Sequence, residues 1–178
     1  MSMPDTPVHD QLSGRADPHA AMTGEIGKRK TVVMKFGGTS VGNIERIRNV
    51  AKRVKAEHDR GRRVAVVVSA MAGVTNRMVG YCAELDPLAD PKEYDAVVAA
   101  GEQVTSGLVS IALQALGVKA RSFQGWQIPL VTDDAHGKAA IDGVDGTELR
   151  KCLDNGGVPA IAGFQVVGTD HRIGTLGR

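Results

Sequence analysis

The chain has 178 residues, 42% of them hydrophobic and 24% charged, and a formal net charge of +2 at pH 7. Its length and apolar content suit one globular domain whose core needs no metal or disulfide staple. A charge balance this near neutrality provides no phosphate-tracking surface, and 3% aromatic residues provide no stacking platform, so the expected partners include neither nucleic acid nor a membrane.

Residues 1–30 mix Pro, Gly, Ser, His and Asp without a hydrophobic period. They lack the apolar run of a secretory signal, and their acids argue against a transit peptide. The expectation is a disordered extension, or a start placed too early with Met22 as the alternative. The domain proper is expected over residues 31–178.

From Thr31 the pattern becomes strand, glycine turn, helix, repeated. Thr31–Phe36 is a β-branched run that stops at Gly37-Gly38. Asn43 offers a helix cap, and Ile44, Ile47, Ala51 and Val54 form one apolar face opposite Glu45, Arg46, Arg48, Lys52, Arg53 and Lys55. Gly61 ends that helix. Arg63–Ser69 is continuously apolar up to its last residue, as in a strand covered on both faces.

A glycine turn over residues 70–73 precedes a helix from about Thr75 to Leu85, and residues 86–91 read as a break. Tyr94–Leu116 is helical with an interruption near Gly101. Val118–Phe123 reads as a strand, and Ile128–Thr132 as an edge strand because it holds Pro129. Asp142-Gly143 and Asp145-Gly146 are expected turns, Thr147–Asp154 a helix stopped by Asn155-Gly156, and Val158–Ala162 a buried strand. Residues 163–178 form a glycine-punctuated loop or hairpin. The alternation predicts an α/β domain with a mainly parallel central sheet.

Such sheets bind ligands beyond the carboxyl ends of their strands. Lys35-Phe36-Gly37-Gly38-Thr39-Ser40 stands at the first of these ends. Paired glycines let backbone N–H groups approach an anion, with Lys35 as a point charge beside them; a tight turn next to a snorkelling lysine has the same sequence. Neither Walker A nor GxGxxG spacing occurs. Ser69 through Asn76 places hydroxyls around Gly73, where Thr75 or Asn76 could equally be a helix cap. Glu102 follows Gly101 in an apolar stretch and needs a partner, either as a structural cap or as the ligand of an ammonium group. Cys82 and Cys152 lack metal-ligand spacing and are expected to be buried thiols in a reducing compartment.

Together these segments resemble the aspartokinases of the amino-acid kinase superfamily. VMKFGGTSV (Val33–Val41), SAMAGVTN (Ser69–Asn76), GEQVTSG (Gly101–Gly107), RSFQGWQIP (Arg121–Pro129), Gly163-Phe164 and TLGR (Thr175–Arg178) fall in that family's order. The resemblance implies a three-layer α/β sandwich and transfer of the ATP γ-phosphoryl to the side-chain carboxylate of L-aspartate. That reaction gives 4-phospho-L-aspartate, on the way to lysine, threonine and methionine. By similarity, Lys35, Phe36, Gly37, Gly38, Thr39 and Ser40 would bind the phosphates, with Lys35 catalytic. Ser69, Thr75, Glu102 and Arg178 would hold aspartate, Arg178 at its α-carboxylate. The implied cofactors are ATP and Mg²⁺, the ion held mainly through the nucleotide, and the implied location is cytoplasmic. An aspartate carboxylate is ionised at neutral pH, so no general base is required, and none of the five histidines is assigned a role.

Two departures stand out. The family usually has Gly after Gly-Phe-Gln, where this chain has Val166; a β-branched residue resists positive φ, so this loop is expected to differ or be strained. The family also continues past TLGR into a nucleotide-binding half. The chain is therefore expected to be a truncated aspartokinase, inactive alone, with an apolar sheet edge and face uncovered. The competing readings are another superfamily member, such as a glutamate 5-kinase or uridylate kinase, and a non-catalytic remnant. A remnant would associate with a full-length kinase subunit, and a homo-oligomer is the other assembly left open.

Overall fold

The computed structural model describes residues 29–128, 130–132, 141–168 and 170–176. The expected extension over residues 1–30 therefore lies almost wholly outside the described residues.

Strand β1 (Thr31–Phe36) and strand β2 (Arg63–Val68) pair in parallel along their whole lengths, from Thr31 opposite Arg63 to Phe36 opposite Val68. Helix α1 (Ile44–Asp59) makes the crossover between them. Asn43 starts it, its side-chain oxygen accepting the Arg46 N–H at 2.9 Å, and Gly61 at φ +76° follows its end. The buried stripe is Ile47, Val50, Ala51 and Val54. Ile44, expected on that stripe, is instead 48% exposed, because it opens the helix, beyond the part of the stripe that reaches the sheet.

Helices α2 (Val74–Leu85), α3 (Pro91–Val98) and α4 (Ala100–Ala115) follow, then β3 (Ala120–Phe123), β4 (Leu130–Thr132), β5 (Ile141–Val144), α5 (Thr147–Asp154), β6 (Val158–Ala162), β7 (Gln165–Val167) and β8 (Ile173–Thr175). Asp90 caps α3 through the Lys92 N–H at 2.8 Å, so that helix begins three residues before the expected Tyr94. The first sheet runs β1-β2-β6-β3, every pair parallel. Phe36, Val64, Val66, Val68, Val158 and Ala160 pack against α1 and α4 as the main core. Ala65 and Pro159 alternate to the other face, where α5 packs on β2 and β6. The mainly parallel central sheet is as the strand–helix alternation predicts.

A second sheet runs β5-β4-β7-β8, with β4 and β7 parallel and the other two pairs antiparallel. It corrects two expectations. The 130–132 strand is internal to this sheet and not an edge, since Pro129 precedes it and removes none of its ladder donors. Asp142-Gly143 lies within β5 and is not a turn, because pairing with β4 outweighs its local turn preference. Of the loop or hairpin expected over residues 163–178, the hairpin is what β7 and β8 form.

Val33 on β1 is 66% exposed, at the edge of the first sheet. The run Pro91–Ala115 is long and apolar enough to cross a membrane by length and composition, but half of its most apolar window is buried against protein, as in the core helix of a globular domain. Cys82 and Cys152 are free thiols.

Candidate active site

At the carboxyl ends of β1 and β2 lies a cavity of about 310 Å³ walled by Gly38, Ser69, Thr75, Asn76, Glu102, Phe164 and residues 70–73. Four stretches of chain far apart in sequence meet here, three of them at the level ends of β1, β2 and β6. The Ser69 N–H donates to the Phe36 carbonyl at 3.1 Å, and the Gly163 N–H to the Val68 carbonyl at 2.9 Å.

Gly37 is extended, and the Ser40 N–H closes the turn onto its carbonyl at 2.9 Å. A Cβ on Gly38 would stand 2.8 Å from the Ala70 carbonyl oxygen. Only glycine lets these two loops approach so closely. Beyond them, α2 starts from Gly73 at φ +79°, with no side-chain cap. Thr75 and Asn76 therefore do not cap the helix. Their side chains are left to the cavity wall, a correction with a direct bearing on function.

Glu102 is 3% exposed in the first turn of α4. Its Oε1 accepts the Ala70 N–H at 2.9 Å. The contact depends on Gly101, where a Cβ would meet the Ala70 Cβ at 2.6 Å. A carboxylate this deeply placed at a helix N-terminus is favoured by the helix dipole and suits a cationic guest.

Phe164 completes the wall in a left-handed conformation, φ +68°. Its neighbour Gln165 is buried; Oε1 accepts the Gly125 N–H at 2.9 Å and Nε2 donates to the Ala99 carbonyl at 2.7 Å. The Leu176 N–H donates to the Phe164 carbonyl at 2.9 Å. Next along, the Asp95 carboxylate, also buried, accepts the Thr175 hydroxyl at 2.8 Å and its N–H at 3.1 Å. Sequence reasoning located strain in this loop through Val166. Val166 is in fact a buried strand residue opposite Gly174, and the strained position is two residues earlier. The hairpin is also tied to α3 from outside by Arg172 to Glu93 and by Lys92 to Asp170 at 2.7 Å. The Lys92 hydrogen bond, with help from the Arg172 N–H, holds the Asp170 carboxyl below the usual carboxylate range.

The cavity thus brings together Gly38, Ser69, Thr75 and Glu102. Lys35, also singled out in the sequence, is exposed at the end of β1 and does not wall the cavity; the alternation of the strand turns it away from buried Phe36, whose ring belongs to the core. Thr39 and Ser40 are exposed and line a separate polar cavity of about 270 Å³ with Arg46, Asn49 and Arg53. Arg46 donates to the Thr39 carbonyl. Arg178 lies outside the described residues. Among the described residues, no group of three His, Cys, Asp or Glu side chains is placed to hold a metal ion.

A model of the amino acid kinase family matches residues 30–178. The chain is 45% identical over 150 residues to an aspartokinase of Rickettsia bellii, covering 83% of this chain and 37% of that protein. To an aspartokinase of Pseudomonas aeruginosa it is 48% identical over 147 residues, 83% of this chain and 36% of that protein. The crystal structure of aspartate kinase from Synechocystis is similar at a TM-score of 0.73 and 37% identity, covering 83% of this chain and 24% of that one. E. coli aspartokinase III, solved in complex with aspartate and ADP, shares the fold at a TM-score of 0.71 and 23% identity, over 84% of this chain and 44% of its own. The chain spans a little over a third of the length of the curated relatives it matches.

Proposed function

Because the chain belongs to the amino acid kinase family, we propose that it carries the amino-acid-binding part of an aspartate kinase and that its cavity takes L-aspartate. The observation that carries this reading is buried Glu102 sharing one cavity with the Ser69 and Thr75 side chains and the Gly38 turn. A buried carboxylate suits the substrate ammonium, and hydroxyls suit its carboxylates. Arg178 would supply a planar fork for the α-carboxylate.

In the reaction, an oxygen of the β-carboxylate forms a bond to the γ-phosphorus of ATP, the bond to the bridging oxygen breaks, and ADP leaves with its electron pair. The nucleophile is already ionised. The site's task is therefore to bring an anion against a polyanion, by positioning and positive charge. The Gly37-Gly38 turn fits that task because its close seat on Ala70 excludes a side chain and keeps the backbone bare toward an incoming phosphate. Lys35 ends the same strand and would add a mobile cation. Mg²⁺, when bound through the nucleotide phosphates, would neutralise their charge.

Calorimetry with L-aspartate, L-glutamate and ATP tests the reading, together with hydroxylamine trapping of acyl phosphate by this chain and by a version extended to the length of its relatives. Aspartate binding by the short chain and product from the extended one are expected. Preference for glutamate would move the assignment to another member of the family. Aspartate binding with no product from either would favour a non-catalytic partner of a longer kinase.

A further inference from the structure

Phe164 is the one cavity-wall residue with a side chain that is held at positive φ, and two buried polar groups converge on its flanks. For an L-residue with a bulky side chain, that conformation is disfavoured roughly five- to thirty-fold in population. It persists only where the surroundings over-determine it. On the C-terminal side, Gln165 is clamped between the Gly125 N–H and the Ala99 carbonyl, so the next residue along cannot rotate. Gly125 has no room for a Cβ, which would stand 2.8 Å from the Gln165 Cβ; the strut is fitted at both ends. From across the hairpin, the Leu176 N–H fixes the Phe164 carbonyl. Leu176 is held in turn because Thr175 gives both its N–H and its hydroxyl to Asp95.

These struts also reach the helices that lead to Glu102. Ala99 is the junction of α3 and α4, three residues before Glu102, and Asp95 lies on α3. The same two side chains therefore tie the left-handed residue to the helices that carry the other end of the cavity's polar lining, Glu102. We propose that Gln165 and Asp95 are positioning residues, which touch no substrate but hold Phe164 against its backbone preference as one wall of the cavity. The part of the proposal that concerns substrate rests on the reading of the cavity as an aspartate site.

The test compares the whole chain with its Gln165→Leu and Asp95→Leu variants, each of which loses both hydrogen bonds of its strut. Gln165→Met, which keeps the length of the side chain but loses both hydrogen bonds, is the second variant should Gln165→Leu fail to fold. Backbone ¹³C shifts and the HN–Hα coupling of Phe164 report φ, and calorimetry reports L-aspartate affinity. In the wild-type chain φ is expected to be positive. In the folded variants Phe164 should relax to negative φ, with aspartate affinity at least ten-fold weaker. A φ that stays positive when either strut is cut overturns the proposal, and so does a relaxed φ with unchanged affinity. A wild-type chain that binds no aspartate sinks the proposed function instead, while the φ measurements still decide whether the struts hold Phe164.

Discussion

Glu102 and Ala70, 32 positions apart, are joined by a hydrogen bond from the Ala70 N–H to a carboxylate that is 3% exposed. The bond ties the first turn of α4 to the loop after β2 and gives the cavity its one buried acid. Glu102→Gln keeps an acceptor for Ala70 but removes the charge. The variant should unfold within a few degrees of the parent while its aspartate affinity falls about 10- to 100-fold, the scale of a lost charge-assisted hydrogen bond. Glu102→Ala additionally strands the buried Ala70 N–H, at a cost of about 1–3 kcal/mol. Thermal melts beside calorimetry separate the two effects. Equal affinity in parent and Gln variant would mean that the carboxylate is only a structural cap.

Gly101→Ala sets two effects against each other. In a helix, alanine is favoured over glycine by about 1 kcal/mol. Here the new Cβ would stand 2.6 Å from the Ala70 Cβ, so one backbone segment has to move, an overpacking cost of about 1–3 kcal/mol. The clash is expected to prevail. Chemical denaturation should show net destabilisation, and because Ala70 is the segment displaced, aspartate binding should weaken with it. A stabilised variant with full affinity would show that the two loops approach less closely than described.

Local chemistry made the first sheet legible. The β-branched runs of β1, β2 and β6 and the caps at Asn43 and Gly61 are short-range signals, and they hold in the folded chain. The second sheet was hidden because its strands are three or four residues long and formed by pairing across the chain: Asp142-Gly143 reads as a turn until β4 is laid beside it. Within the site, Glu102, Ser69, Thr75 and Gly38 could be picked out, since glycine turns at strand ends and a carboxylate in an apolar run are visible one at a time. Phe164 could not. Its conformation is imposed by Gln165 and Thr175, whose partners Gly125, Ala99 and Asp95 are 40, 66 and 80 positions away, and no window along the chain contains such a constraint. Thr75 was readable as a cap only while the start of α2 was unknown.

The Lys92–Asp170 pair pins the outer end of the β7–β8 hairpin to α3. Asp170 gives up its proton more readily in the folded chain than in the unfolded one, chiefly because Lys92 hydrogen-bonds the carboxylate. Its contribution is thus present above the ordinary aspartate range and fades as pH falls through the lowered folded value. Both partners are well exposed, so the effect on global stability is small. A carboxyl ¹³C titration should place the Asp170 inflection below that of an unstructured aspartate, and Lys92→Met should raise it. The same inflection with and without Lys92 would remove the pair from the forces that hold the hairpin.

Lys35 separates structure from chemistry most cleanly. It is exposed, on the strand face turned away from the core, and among the described residues it makes no ion pair. No hydrogen bond or ion pair among the described residues uses its charge. Lys35→Met should change stability by less than about 0.5 kcal/mol and leave aspartate affinity unaltered, because the cavity proposed for aspartate is walled by other residues. In a version extended to the length of the relatives, the same substitution should slow acyl phosphate formation about 10²- to 10³-fold, the scale of losing one donor that meets transition-state charge. A lysine that merely snorkels beside exposed Val33 would behave in the opposite way, with a measurable change in solubility or melting and an unchanged rate. Paired melting and hydroxylamine-trapping measurements on the one variant therefore decide between a cation for the transferring phosphate and a solubilising side chain on an open strand.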